Sequence, residues 1–232
     1  MPVKKNRERT PKEGVSKEEF REEVIDVAGK MFRENGIKSI TMDDIAASLS
    51  MSKRTLYEMF KDKEALLKEC IMRRHHAMQE YIRGLFDSSY NVLEILLGCH
   101  LKAVEGVRSI NPRFFEDLKK YPSLAGLLRQ TRSDESDGAS VYFHMGVEQG
   151  LFRDDVNFEI MTWLFHEQIN MLVHSDMVKK YSFLEVYEVI MLSYIRGLCT
   201  DKGLKLLDNY ISEYRKRYDD LKPVEYPTVT RA

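Results

Sequence analysis

Between residues 41 and 63 the chain reads TMDDIAASLSMSKRTLYEMFKDK, and cations, hydroxyls and a phenol crowd into that short run. Lys53 and Arg54 are adjacent, Thr55 and Tyr57 follow, and Lys61 and Lys63 close it. Lysine and arginine neutralise phosphate, and the arginine fork matches the O6 and N7 acceptors of guanine. Thr55 adds a hydroxyl and a methyl, and Tyr57 adds a phenol at the end of a rigid ring. Together these groups suit a duplex that presents phosphates outside and hydrogen-bonding base edges in its grooves. Other chemistries find no comparable set. No Gly-rich phosphate loop, HExxH or GxSxG is present, so no catalytic residue is nominated. The adjacent His75 and His76 would point about 100° apart on a helix, which prevents joint metal chelation. No metal site or cofactor is expected.

These side chains need two short helices to position them. The Thr41 hydroxyl caps the first, with Asp44 three residues on as in a capping box. Ile45, Ala46 and Leu49 form its apolar stripe, and the small Ala46 lets a second helix cross closely. Ser50 and Met51 make the turn. Ser52 caps the second helix, over residues 52–59, with Leu56 and Phe60 facing inward. Two helices joined this tightly form a helix-turn-helix, whose second helix fits a major groove. Lys61 and Lys63 fall at the start of the next helix, where free backbone N–H groups also favour phosphate. The pattern alone also allows an ordinary helical pair with a solvated basic face.

The order Thr41, Ile45-Ala46, Ser52, Thr55-Leu56-Tyr57, Phe60, Lys63, Leu66 resembles the DNA-binding head of the tetracycline-repressor (TetR) family. A second stretch, EQGLFRDDV at residues 148–156, is similar to that family's link into its eighth helix. The resemblance implies an all-α fold of about nine or ten helices. A three-helix DNA-binding head would be followed by a helical domain for ligand binding and dimerisation. The DNA-binding set is then Thr41, Ser52, Lys53, Arg54, Thr55, Tyr57, Lys61 and Lys63. Three departures stand out. Ser50 and Arg54 occupy positions where the family often has glycine, and Glu58-Met59 stands where aromatic or histidine residues often meet phosphate. Glu58 would be repelled by phosphate and is left out of the set.

The chain has 232 residues, 43% hydrophobic and 31% charged, which is the composition of a globular protein. Its net charge of −1 hides an asymmetry. Residues 1–75 hold 17 Lys/Arg against 14 Asp/Glu, and residues 76–232 hold 19 against 23. Affinity for DNA should therefore rest on placed contacts more than on bulk attraction. Three widely spaced cysteines and the lack of a leader point to the cytoplasm, and no apolar run is long enough for a membrane span.

The remaining helices follow from periodicity. Residues 1–15 read as a basic tail, either solvated or an arm along DNA. Residues 16–35 form the first helix, opened by Ser16 and Glu19 and closed by Gly36, with Phe20, Val24, Val27, Ala28, Met31 and Phe32 inside. Asp62 caps a fourth helix reaching Phe86, a rod roughly 40 Å long at about 1.5 Å per residue. A fifth helix covers residues 91–110 and a short sixth covers 112–120. The seventh is assigned across residues 123–149, although 130–140 reads as a loop by composition and the family plan alone makes it helical. Residues 157–175 and 182–200 are apolar nearly all round, which predicts a homodimer through an intersubunit four-helix bundle. A tenth helix covers residues 202–220, and 221–232 reads as a loose tail. The domains are thus 1–15 tail, 16–61 head, 62–220 ligand-binding and dimerisation domain, and 221–232 tail.

A pocket for a small-molecule inducer among helices four to eight is implied by the resemblance. Residues able to face it are His100, Phe115, Tyr142, Phe143, Met145, Trp163, His166 and Asn170. Flat rings and a thioether suit an apolar or planar ligand, and plain core packing explains the same residues. The resulting expectation is a cytoplasmic, homodimeric, ligand-responsive regulator that represses from a palindromic operator. The alternatives are an activator with the same head, or a helical small-molecule-binding protein or enzyme whose head leaves DNA alone.

Overall fold

A computed structural model describes residues 16–86, 90–121, 123–124, 142–174 and 180–219. Regular structure there is α-helical, apart from one isolated bridge pairing Phe152 with Cys199. The predicted tails, 1–15 and 221–232, and the 130–140 part of the seventh helix lie outside these residues. The chain divides into two compact units. The first is Met1–Arg83 with Glu105–Leu127, and the second is Gly84–Val104 with Leu128–Ala232.

In the first unit, α1 (Lys17–Asn35) opens on the predicted capping box, with Glu19 N–H on Ser16 Oγ at 3.1 Å and Ser16 N–H on Glu19 Oε2 at 2.8 Å. Phe20, Val24, Ala28 and Phe32 are buried as expected. Val27 and Met31 are only half-buried, and Ile25 is buried in their place. Both α2 (Met42–Ser48) and α6 (Pro112–Leu118) pack on α1, so its buried arc turns toward them. After Gly36 come α2, α3 (Lys53–Met59) and α4 (Lys63–Phe86), in the predicted order. Asp62 caps α4 by accepting the Ala65 N–H at 2.8 Å.

The first unit extends beyond the predicted 16–61 head, because α6 is tied to the end of α1. Asn111 donates its backbone N–H to Arg33 O at 2.7 Å and its side-chain amide to Glu34 O at 3.1 Å. The buried Asp117 accepts the Lys38 N–H at 2.7 Å. Gly36 makes this approach possible: its φ is +86°, and a Cβ there would stand 3.1 Å from that of Arg113. Sequence periodicity holds no sign of these bonds, which join residues nearly eighty positions apart.

Ser50 adopts φ +53°, the left-handed conformation that glycine takes without penalty. The turn is closed by Ser50 N–H on Ala47 O at 3.0 Å and Met51 N–H on Ala46 O at 2.9 Å. Left-handed backbone at a residue with a Cβ costs about 1–2 kcal/mol, and glycine's greater freedom when unfolded offsets part of the relief. Ser50→Gly is therefore expected to stabilise the head, with a melting temperature roughly 2–4 °C higher for about 1 kcal/mol gained. Thermal denaturation checks this, and a lower melting temperature would show that the serine side chain contributes more than its backbone costs.

The second unit contains most of α5 (Val92–Arg108), a helix over 142–148 (α7), α8 (Phe158–His174), α9 (Phe183–Leu198) and α10 (Asp201–Asp219). Its core is built on Val92, Leu93, Phe143, Phe152, Ile195 and Leu198. Gly150, at φ +67°, follows α7 in the left-handed region, where glycine commonly ends a helix. The link behind it is pinned across the end of α9 by Arg153 N–H on Leu198 O at 2.9 Å and Thr200 N–H on Leu151 O at 3.0 Å. Asn157 caps α8 through the Ile160 N–H at 3.0 Å, and Ser182 caps α9 in a box with Glu185. Among the described residues no helix is long and apolar enough to cross a membrane.

Candidate nucleic-acid interface

The head is held from below by its core. Leu56 is fully buried in α3, beside Phe32, Ile45, Ala46 and Phe60. With Leu56 inward, helical geometry places Arg54 and Glu58 about 160° away on either side, on the outermost face of α3. Tyr57 lies on a flank and is 44% exposed. The cap on α3 is as predicted: Ser52 Oγ accepts the Thr55 N–H at 3.1 Å, a bond that contributes about 1 kcal/mol in a typical helix. The Ser52 and Thr55 hydroxyls also bond to each other at 2.8 Å, so both sit at the foot of the helix. Thr41 caps α2 in turn. Its hydroxyl and N–H both donate to Asp44, at 2.6 and 2.8 Å, and hold that carboxyl below its ordinary pKa.

The cations are positioned unequally. Lys53 is exposed and pairs with Asp43 of α2, Nζ to Oδ1 at 2.7 Å, which raises its pKa. Arg54 projects further than Lys53, with 89% of its side chain exposed against 58%, and its Nε is bonded to Glu58 Oε1 at 2.8 Å. Lys61 is exposed at the corner before α4. Lys63 is half-buried, with its ammonium 5.8 Å from the Phe32 ring centre, and desolvation lowers its pKa. Lys63 is therefore partly committed to the head's own packing. Periodicity alone does not reveal that Lys53 and Arg54 each have a carboxylate partner. The four-residue spacing of Arg54 and Glu58 was the available sign of one such pair.

The inducer-site candidates do not all come together. His100 is buried and stacks on Tyr187 with ring centres 5.5 Å apart, and burial pushes its pKa down to about 4. Phe143 is buried and stacked on Phe158 at 4.6 Å. Tyr142 lies 4.2 Å from Phe86, and Met145 packs on the same core. His166 and Asn170 are half-buried on α8. Two candidates stand apart. Phe115 belongs to the first unit, edge-on to Phe114 at 5.7 Å. Trp163 faces outward, 61% exposed, because it shares the solvent stripe of α8 with Ile160, Leu164 and Met171.

A family model described as bacterial regulatory proteins, tetR family, matches residues 24–70, which span most of α1, the helix-turn-helix and the start of α4. The chain is 25% identical over 176 residues to the HTH-type transcriptional regulator YvaF of Bacillus subtilis, covering 75% of this chain and 92% of that one. It is 26% identical over 157 residues to the HTH-type transcriptional repressor KstR2 of Mycolicibacterium smegmatis, covering 66% and 75%. A crystal structure of a TetR-family transcriptional regulator from Marinobacter aquaeolei VT8 shares the fold, with a TM-score of 0.61 at 19% identity over 82% of this chain and 98% of that one. A helix-turn-helix with its cations outermost and the match across it lead to one conclusion: residues 24–70 form a DNA-binding head of the tetR type, and the chain as a whole is similar to HTH-type transcriptional regulators.

Proposed function

We propose that this regulator is a homodimeric repressor that docks two copies of α3 in successive major grooves of a palindromic operator and releases it when a small apolar molecule binds the second unit. The observation that carries the reading is the outer face of α3, where Lys53, Arg54 and Tyr57 project around a fully buried Leu56. The half-sites would lie about 34–36 Å apart. Homodimerisation is supported by the apolar side chains that α8 and α9 leave in solvent, Ile160, Trp163, Leu164, Met171 and Val189. Such a stripe on two adjacent helices suits a self-complementary interface. Repression is favoured by KstR2, which is named a repressor. An inducer site in the second unit is supported by the aromatic and polar side chains His100, Tyr142, Phe143, Met145, His166 and Asn170, which all belong to that unit. α4 is continuous from one unit into the other, so a ligand-driven shift can travel along it. A coupling of about 1–3 kcal/mol is enough to change operator affinity 5- to 150-fold. A protein with this role would act in the cytoplasm, as a regulator and not as an enzyme.

Footprinting on the DNA flanking its own gene tests the reading. A protected palindrome is expected, and Arg54→Ala should lower the preference for it more than it lowers binding to unrelated DNA. Lys53→Ala should weaken both alike and reduce the salt slope by about one unit per subunit. Equal losses in the Arg54 variant would remove it from base reading.

A further inference from the structure

The carboxylate of Glu58 is the feature of the head that phosphate binding leaves unexplained. Glu58 follows Arg54 by one helical turn, and both lie opposite the buried Leu56, so α3 cannot bring Arg54 into a groove without Glu58. A bare carboxylate there would be repelled by the phosphates on both sides. Here it is joined to Arg54, with Glu58 Oε1 accepting from Arg54 Nε at 2.8 Å. That bond occupies the side edge of the guanidinium. The two terminal nitrogens, Nη1 and Nη2, remain at its far end, and two parallel N–H donors fit O6 and N7 of guanine. Adenine presents an amino group where guanine has O6, and thymine presents a methyl, so neither matches the fork. Glu58 Oε2 has no partner among the described residues and can accept the exocyclic amine of the cytosine opposite.

We propose that Arg54 and Glu58 act as one reading head for a G·C pair in each half-site, with Glu58 as the specificity-determining residue that aims Arg54 and rejects other bases. This rests on the proposed docking of α3 in the major groove. It also reverses the expectation that Glu58 stands outside the contact surface.

Selection of bound sequences from a random duplex pool tests it, using the full-length dimer and its R54A, E58A, E58Q and R54A/E58A variants. Both side chains are exposed, and an unchanged melting curve for each variant confirms folding. The wild type should enrich guanine at one position per half-site by about tenfold or more over other bases. R54A should flatten that position. E58A and E58Q should flatten the same position while binding unselected DNA a few-fold more tightly at low salt, because a negative charge has gone. The double variant should be no less selective than R54A alone. Guanine enrichment that survives E58A unchanged, or a Glu58 effect at a different position from the Arg54 effect, would overturn the inference and leave groove docking intact. If the wild type enriched no sequence, docking itself would fail and the inference with it.

Discussion

Trp163→Glu is expected to abolish the proposed dimer, leaving a monomer, and to cut operator affinity by about a hundredfold or more. Trp163 is 61% exposed, and Ile160 and Leu164 adjoin it on the same stripe of α8. In an interface with twofold symmetry the same patch supplies both sides, so one substitution places two carboxylates in it. Each loses water without gaining a cation, which is costly. Losing the dimer separates the two half-site contacts, and linkage of two contacts typically adds 10²–10⁴ in apparent affinity. The isolated subunit should remain folded, because Trp163 contributes little to its own core. Sedimentation gives the mass, circular dichroism the fold, and titration of a full operator against a single half-site gives the affinity. A Trp163→Glu protein that still sediments as a dimer would show that the α8 stripe is not the joint.

Leu56→Ala is expected to unfold the head while sparing the second unit. Leu56 is fully buried, and α3 is only seven residues long. A helix that short has no stability in water apart from its packing. Removing a buried leucine side chain costs about 2–5 kcal/mol, much of a typical domain's 5–15 kcal/mol. Loss of all DNA binding, specific and non-specific, should accompany a separate low-temperature transition on melting, with the dimer retained. Unchanged operator binding alongside an unchanged melting profile would mean that α3 is held by its flanking residues and not through Leu56.

These two effects show which features are legible at which level. The helix-turn-helix can be read from single residues because each signal is local. Thr41 and Ser52 cap the turns that immediately follow them. Ser50 is the left-handed residue between α2 and α3. Leu56 marks the inward face from which the outward one follows. The seventh helix aside, the boundaries of the other described helices agree with the periodicity to within about two residues, since capping and apolar spacing act over a single turn. The inducer candidates were less legible. Apolar periodicity on α8 says that several faces avoid water, but not which meets the subunit's own core and which is left outside. Ile169 and Leu172 turned inward and Trp163 outward.

Local chemistry along the chain thus specified the helices, their caps and the residues that α3 turns outward, because those depend on neighbours three or four positions away. Three-dimensional folding alone decided that α6 joins the head through Asn111 and Asp117, that Lys63 leans on Phe32, and that Trp163 faces solvent. Each of these needs partners distant in sequence, and no periodic pattern records which distant groups will meet.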